Sequence, residues 1–234
     1  MSKQREENVN LNALLFITFW VAVIIECVSL YKRKYAYYGF SRAVIAPILL
    51  VRLITSTSGY KISRYIYLFL LFSILADLLT IFGTAEIEYV GLNFYTISYL
   101  CFACFFLSLK YNYHSISIIA FFLSGIIVTI TTLIGLFAPE LHKQVFYVQM
   151  VFHPVILILL GYALLANKNK FLSIVFGNFF LSVLVIIMTN LLFGLDVFFF
   201  HYKYSIIETI IGLGNGFYLF LITRGALKQV KKVG

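Results

Sequence analysis

The sequence predicts an all-α, polytopic transmembrane helical bundle, and three observations carry that expectation. Apolar residues make up 62% of the 234 and charged residues only 12%, against about 45–50% and about 25% in soluble domains. Mean hydropathy is +0.98. The apolar residues also fall into runs of about 20, the length a helix needs to cross a bilayer. Connections such as TAEIEY, KYNYHS, PELHKQ and NKNK join these runs and leave no room for a soluble domain.

The elements follow in order. A polar tail, MSKQREENVN, leads into a first run over residues 11–30. Its length, and the lack of a small-residue cleavage site after it, mark a span rather than a signal peptide. A shorter candidate covers 43–58 and contains Pro47 and Arg52. Further runs cover 65–83, 90–109, 116–138, 145–166, 171–193 and 205–223. The whole chain, 1–234, thus reads as one integral-membrane domain of eight spans, or of seven if 43–58 does not cross.

The net charge of +9 sits in connections and at the C-terminus, where positive-inside topology puts it. No basic patch interleaved with exposed aromatics appears, so nucleic acid is not an expected partner. With eight spans and an inner N-terminus, Lys3, Arg5, Lys61, Arg64, Lys110, Lys168, Lys170, Arg224, Lys228, Lys231 and Lys232 face inward. Lys32, Arg33, Lys34, Arg42, Lys143 and Lys203 then face outward. The charge rule alone favours seven spans, because YKRKYAYYGFSR falls on the outer side when there are eight. Both counts place the C-terminus in the cytoplasm, the chain in the cell (inner) membrane, and GTAEIEY outside.

Cys27, Cys101 and Cys104 read as small buried hydrophobes despite the redox-type spacing of CFAC. The four His residues lie in different segments without i,i+4 partners, so neither a metal nor another cofactor is expected.

Polar groups inside the spans are the functional candidates, with helix–helix packing as the plainer reading of each. FSILADLLTIF, residues 72–82, carries a lone acid, Asp77, near mid-span. A charge there costs about 2.5–3.5 kcal/mol on insertion scales. Ser73 and Thr80 share its helix face. In 90–109, Asn93, Thr96 and Tyr99 form a polar stripe that the small Ala103 continues. In 145–166, Gln149 and His153 lie four apart, and Pro154 follows His153. In 171–193, Asn178, Ser182 and Thr189 share a face, with Asn190 about 100° away. The last span carries Glu208, Gly212 and Asn215 on one face, with Gly212 and Gly216 at the spacing that lets helices approach closely. Glu208 and Glu26, near span ends, are expected to snorkel to the interface. Asp196, after Gly194, is expected to be solvated.

Ser73-Ile74-Leu75-Ala76-Asp77, followed by Gly91, Leu92 and Phe94 in GLNFYTISYLCF and by Gly177 and Thr189-Asn190 in GNFFLSVLVIIMTNLLFG, resembles the YhhN-like, or lysoplasmalogenase, family of eight-span membrane proteins. That resemblance is the reason for counting 43–58 as a span. It implies hydrolysis of the vinyl-ether bond of a lysolipid or a related lipid, releasing a fatty aldehyde. A membrane lipid or lysolipid would be the partner. The chemistry needs a proton donor to the alkenyl group and a base that delivers water. By resemblance Asp77 is the catalytic acid, and Asn190 and Tyr99 occupy possible second positions. Ser73, Thr96, Tyr99, His153, Thr189 and Asn190 are expected to line the lipid site. The chain departs from the family pattern where Ala46 replaces a Lys, Tyr99 a His, Phe102 a Tyr, and Asn190 an Asp. Those departures admit a non-catalytic lipid-binding or regulatory protein on the same scaffold. A small transporter, with Asp77 as a proton site, is a third reading, although no internal repeat supports it.

Overall fold

A computed structural model of the chain describes residues 2–57, 62–82, 85–109, 123–127, 130–131, 133–134, 142–200 and 202–230, with side chains left out at 2–9, 82, 85–89, 142–152, 198 and 230. We number its long helices α1 Ser2–Tyr31, α2 Tyr35–Ser56, α3 Arg64–Phe82, α4 Ala85–Leu107, α5 His142–Ala166, α6 Ser173–Leu195 and α7 Ser205–Val230. A short 3₁₀ turn, Lys168–Lys170, precedes α6, and a π-helical turn, Asp196–Phe200, follows it. No strand occurs among the described residues. Among the described residues, six stretches are long and apolar enough to cross a membrane: Asn10–Tyr31, Tyr35–Ser56, Arg64–Ile81, Val90–Leu107, Ser173–Leu195 and Ser205–Gln229. This is the architecture of a helical multi-pass membrane protein. The expected span 116–138 lies largely outside the described residues, within which 123–127 are helical.

The element starting at Tyr35 corrects the expected span 43–58, and the correction has a visible cause. Arg33 adopts a left-handed backbone, φ 53°. Its N–H donates to the Leu30 carbonyl and that of Lys34 to Ser29, the paired bonds of a Schellman ending. The chain therefore turns within Lys32–Lys34, and α2 begins two turns earlier than hydropathy indicates. Arg42, expected in an outer connection, lies inside α2 and is buried. Helix α4 likewise begins at Ala85, so most of TAEIEY is helical.

The chain forms two compact units. One comprises residues 63–171 and the other residues 1–62 with 172–234. In the first, α3 packs on α4 and α4 on α5. Gly91 sets the approach of α3 to α4, since a Cβ there would lie 2.6 Å from Thr80 Cγ2 and 3.1 Å from the Ala76 carbonyl oxygen. A cluster of Phe69, Phe102, Phe105, Phe106 and Phe171 fills its apolar core. In the second unit, α1 packs on α2 and α7, α2 on α7, and α6 on α7. Gly212 and Gly216 of α7 face Leu30 and Val23 of α1, which is the close packing that their spacing predicts.

The outward pattern is that of a membrane protein. Ile17, Ile24, Ile158, Leu165, Met188 and Leu191 are exposed, while Glu26, Arg42, Ser73, Asp77 and Asn93 are buried. A bilayer core offers no hydrogen bonds, so polar groups inside it must find partners within the protein.

Candidate functional site

Asp77 sits on α3, only 2% exposed, and its Oδ1 accepts a hydrogen bond from the Tyr95 hydroxyl of α4. Tyr95 lies one turn after Gly91. The missing side chain at Gly91 lets α4 come close enough for the phenol to reach across. Ser73 and Thr80 share the Asp77 face, but both hydroxyls turn back to their own helix. Ser73 Oγ donates to the Phe69 carbonyl at 2.8 Å, and Thr80 Oγ1 lies 2.8 Å from Ala76 O and 3.1 Å from Asp77 O.

A second polar group lies along the same helix. Thr96 Oγ1 and His153 Nδ1 of α5 are 2.9 Å apart and share a hydrogen bond whose direction follows the imidazole tautomer. The Thr96 hydroxyl also reaches the Leu92 carbonyl at 3.2 Å. Tyr99 packs edge-on against the His153 ring, with centroids 5.3 Å apart. Because Tyr95 and Tyr99 are four residues apart on α4, the carboxylate–phenol pair and the imidazole group occupy adjacent turns. Pro154 cannot donate to the carbonyl one turn back in α5, so the backbone beside His153 is interrupted. Asn93, fully buried, accepts from Thr131 Oγ1 at 3.4 Å.

The expected site residues therefore divide. Asp77, Ser73, Thr96, Tyr99 and His153 belong to the unit 63–171, and Thr189 and Asn190 to the other. There Thr189 Oγ1 lies 2.8 Å from Val185 O and 3.0 Å from Ile186 O, and Asn190 Nδ2 donates to Ile186 O at 2.7 Å. Thr189 also packs on Gly214 of α7. Tyr95 is the functional candidate that sequence reasoning missed. Its one distinguishing signal was its place four residues after Gly91.

The second unit carries its own buried charges, and two expectations are corrected there. Glu26 does not snorkel. It is fully buried and pairs with Arg42 Nη1 at 2.9 Å, against Gly212 of α7. Asp196 is not solvated but 1% exposed: the chain after α6 winds into the π-helical turn Asp196–Phe200, with the Tyr202 N–H donating to the Asp196 carbonyl, instead of opening into a loop.

Comparison with models of protein families, with curated proteins and with solved structures found no match.

Chemically, the unit 63–171 places a carboxylic acid, a phenol and an imidazole in consecutive turns of an apolar environment. Carboxylic acids, tyrosines and histidines are the usual groups for moving protons.

Proposed function

We propose that the chain is an integral-membrane hydrolase of the lysoplasmalogenase kind, which cleaves the vinyl-ether bond of a lysolipid or a related lipid. In this reading it has eight spans, lies in the cell membrane and has a cytoplasmic C-terminus. The observation that carries the proposal is the buried Asp77 bonded to Tyr95 of α4, the helix whose Thr96 bonds His153. The imidazole also packs against Tyr99, the position where the resemblance expects a histidine.

The roles follow from the chemistry. Asp77 donates its proton to the alkenyl carbon remote from the ether oxygen, and the π electrons form the new C–H bond. The ether oxygen stabilises the resulting oxocarbenium ion. Tyr95, donating to Oδ1, stabilises the carboxylate left behind. Water adds to the oxocarbenium carbon and gives a proton to His153. The hemiacetal then collapses to a fatty aldehyde, its hydroxyl proton passing to the Asp77 carboxylate while the departing glycerol oxygen takes the proton held by His153. Thr96 fixes the imidazole orientation through Nδ1.

Aldehyde release from a synthetic alkenyl lysolipid by the purified protein tests this. Turnover is expected in the wild type and is expected to be lost in Asp77→Asn and in His153→Gln. No turnover above the Asp77→Asn background refutes it.

The intrahelical bond of Asn190 favours a second reading, a lipid-binding protein without catalysis. The amide that stands where the resemblance expects a carboxylate is already spent on the Ile186 carbonyl. That reading predicts lysolipid binding that survives Asp77→Asn, with no aldehyde formed.

A further inference from the structure

The end of the unit formed by residues 1–62 and 172–234 carries a group of charges unrelated to Asp77. Asp196 caps α6 and is only 1% exposed. Neither of its carboxylate oxygens has a hydrogen-bond partner among the described residues. Glu208, in the first turn of α7, has its Oε2 buried and likewise unpartnered among them. The charges of Asp196 and Arg33 both act on the Glu208 carboxylate, with opposite sign.

The helices packed here supply little compensating charge. Helix α1 supplies Glu26, already balanced by Arg42 of α2 at 2.9 Å. Helix α6 has no charged residue between Ser173 and Leu195. Arg33 follows α1, and its Nη2 donates to the carbonyls of Lys203 at 2.6 Å and Tyr202 at 3.4 Å. Lys203 sits over the Tyr204 ring. It lines, with Arg33, Phe199, Phe200, Tyr202 and Tyr204, an open concavity of about 620 Å³. Lys203 on this rim, and Lys32 and Lys34 beside Arg33 in the chain, are exposed. His201 lies outside the described residues.

The charge balance has one gap. The Arg33 charge acts on Glu208, and among the described residues nothing pairs with Asp196. An ionised carboxylate buried without a partner costs far more than taking up a proton, so such groups neutralise instead. Burial indeed pushes the Asp196 carboxyl above its ordinary value.

We infer that Asp196 and Glu208 bind one proton between them, forming a proton site beneath the aromatic and cationic rim. The proton resides on Asp196, while Glu208 stays ionised opposite Arg33 and its negative charge strengthens the hold. The pair titrates as a unit. Asp196 opens a π-helical turn, and two residues of the rim, Arg33 and Tyr202, have left-handed backbones. Non-glycine residues in that conformation and π-turns both concentrate at functional positions.

Infrared difference spectroscopy of the full-length protein in lipid nanodiscs reads the site directly. The expected result is a neutral-carboxyl C=O band that disappears on raising the pH and is absent in Asp196→Asn. Glu208→Gln removes the neighbouring negative charge and moves the midpoint to lower pH. Arg33→Gln removes the positive one and moves it to higher pH. His201→Gln leaves the band in place. Carboxyls elsewhere, such as Asp77, contribute equally to every spectrum and cancel. The inference is overturned if Asp196→Asn leaves the band unchanged or if Glu208→Gln does not move the midpoint. It is also overturned if sodium erases the band at constant pH, which would make the site one for a metal cation. Should Asp196→Asn fail to fold, the opposed shifts of Glu208→Gln and Arg33→Gln still decide.

Discussion

Replacing Arg42 by Met tests how the charges of the unit built from both chain ends are held. Glu26 Oε1 and Arg42 Nη1 are 2.9 Å apart, with Glu26 fully buried. At that separation, and at an effective dielectric constant of about 20, the attraction amounts to about 6 kcal/mol. Desolvating the two ions costs several kcal/mol each, so the intact pair contributes little net stability. Removing one partner is different, because the other charge stays where water cannot reach it. Arg42→Met is expected to destabilise the protein by about 3–5 kcal/mol. Glu26→Gln combined with Arg42→Met should recover most of that loss, since the amide leaves no charge behind. Reversible unfolding in mixed detergent micelles, run as a double-mutant cycle, gives the coupling. A double variant no more stable than Arg42→Met, or a single variant within about 1 kcal/mol of wild type, would refute the reasoning about a buried pair.

Three further outcomes are expected. Gly91→Ala should cost about 1–3 kcal/mol of unfolding free energy by overpacking α3 against α4, and Thr80→Ser, which removes the methyl 2.6 Å from the added Cβ, should restore part of it. Tyr95→Phe should lower aldehyde release by about 10²-fold or more, the usual scale for a group that serves a proton transfer, without abolishing lysolipid binding. The thermal midpoint of the wild type should fall with rising pH. The Asp196 carboxyl lies above its ordinary value in the folded state, so its stabilisation is full below the unfolded value of about 3.9 and is lost as pH rises through the folded one. Asp196→Asn should remove that component, and a midpoint profile identical in both proteins would contradict it.

Much of the architecture was legible because the bilayer imposes its own length scale. The spans over 11–30, 65–83, 171–193 and 205–223 coincide with helices to within a few residues or lie inside longer ones. The second helix was read short because Gly39, Ser41 and Arg42 look like loop residues. Arg42 is paired with Glu26, sixteen positions earlier, and hydropathy does not register a pairing at that distance. Asp77 stood out by being the lone acid in an apolar window. Its partner did not, because Tyr95 and Tyr99 are indistinguishable by period until α3 is placed against Gly91. Asp196 was misread for a related reason: a boundary acid reads as wet unless the chain after it is known to stay helical.

The unit assembled from residues 1–62 and 172–234 imposes an order on synthesis. Residues 63–171 are contiguous and complete their contacts as they leave the ribosome, whereas α1 and α2 must wait in the membrane for more than a hundred residues before α6 and α7 arrive. Domains form as units, earliest-made segments first, so the first hairpin needs a means of persisting alone. The Glu26–Arg42 bond joins two neighbouring helices and requires nothing made later. It gives the waiting hairpin a fixed register, and so keeps the surface that Gly212 and Gly216 will meet from being taken up by another partner.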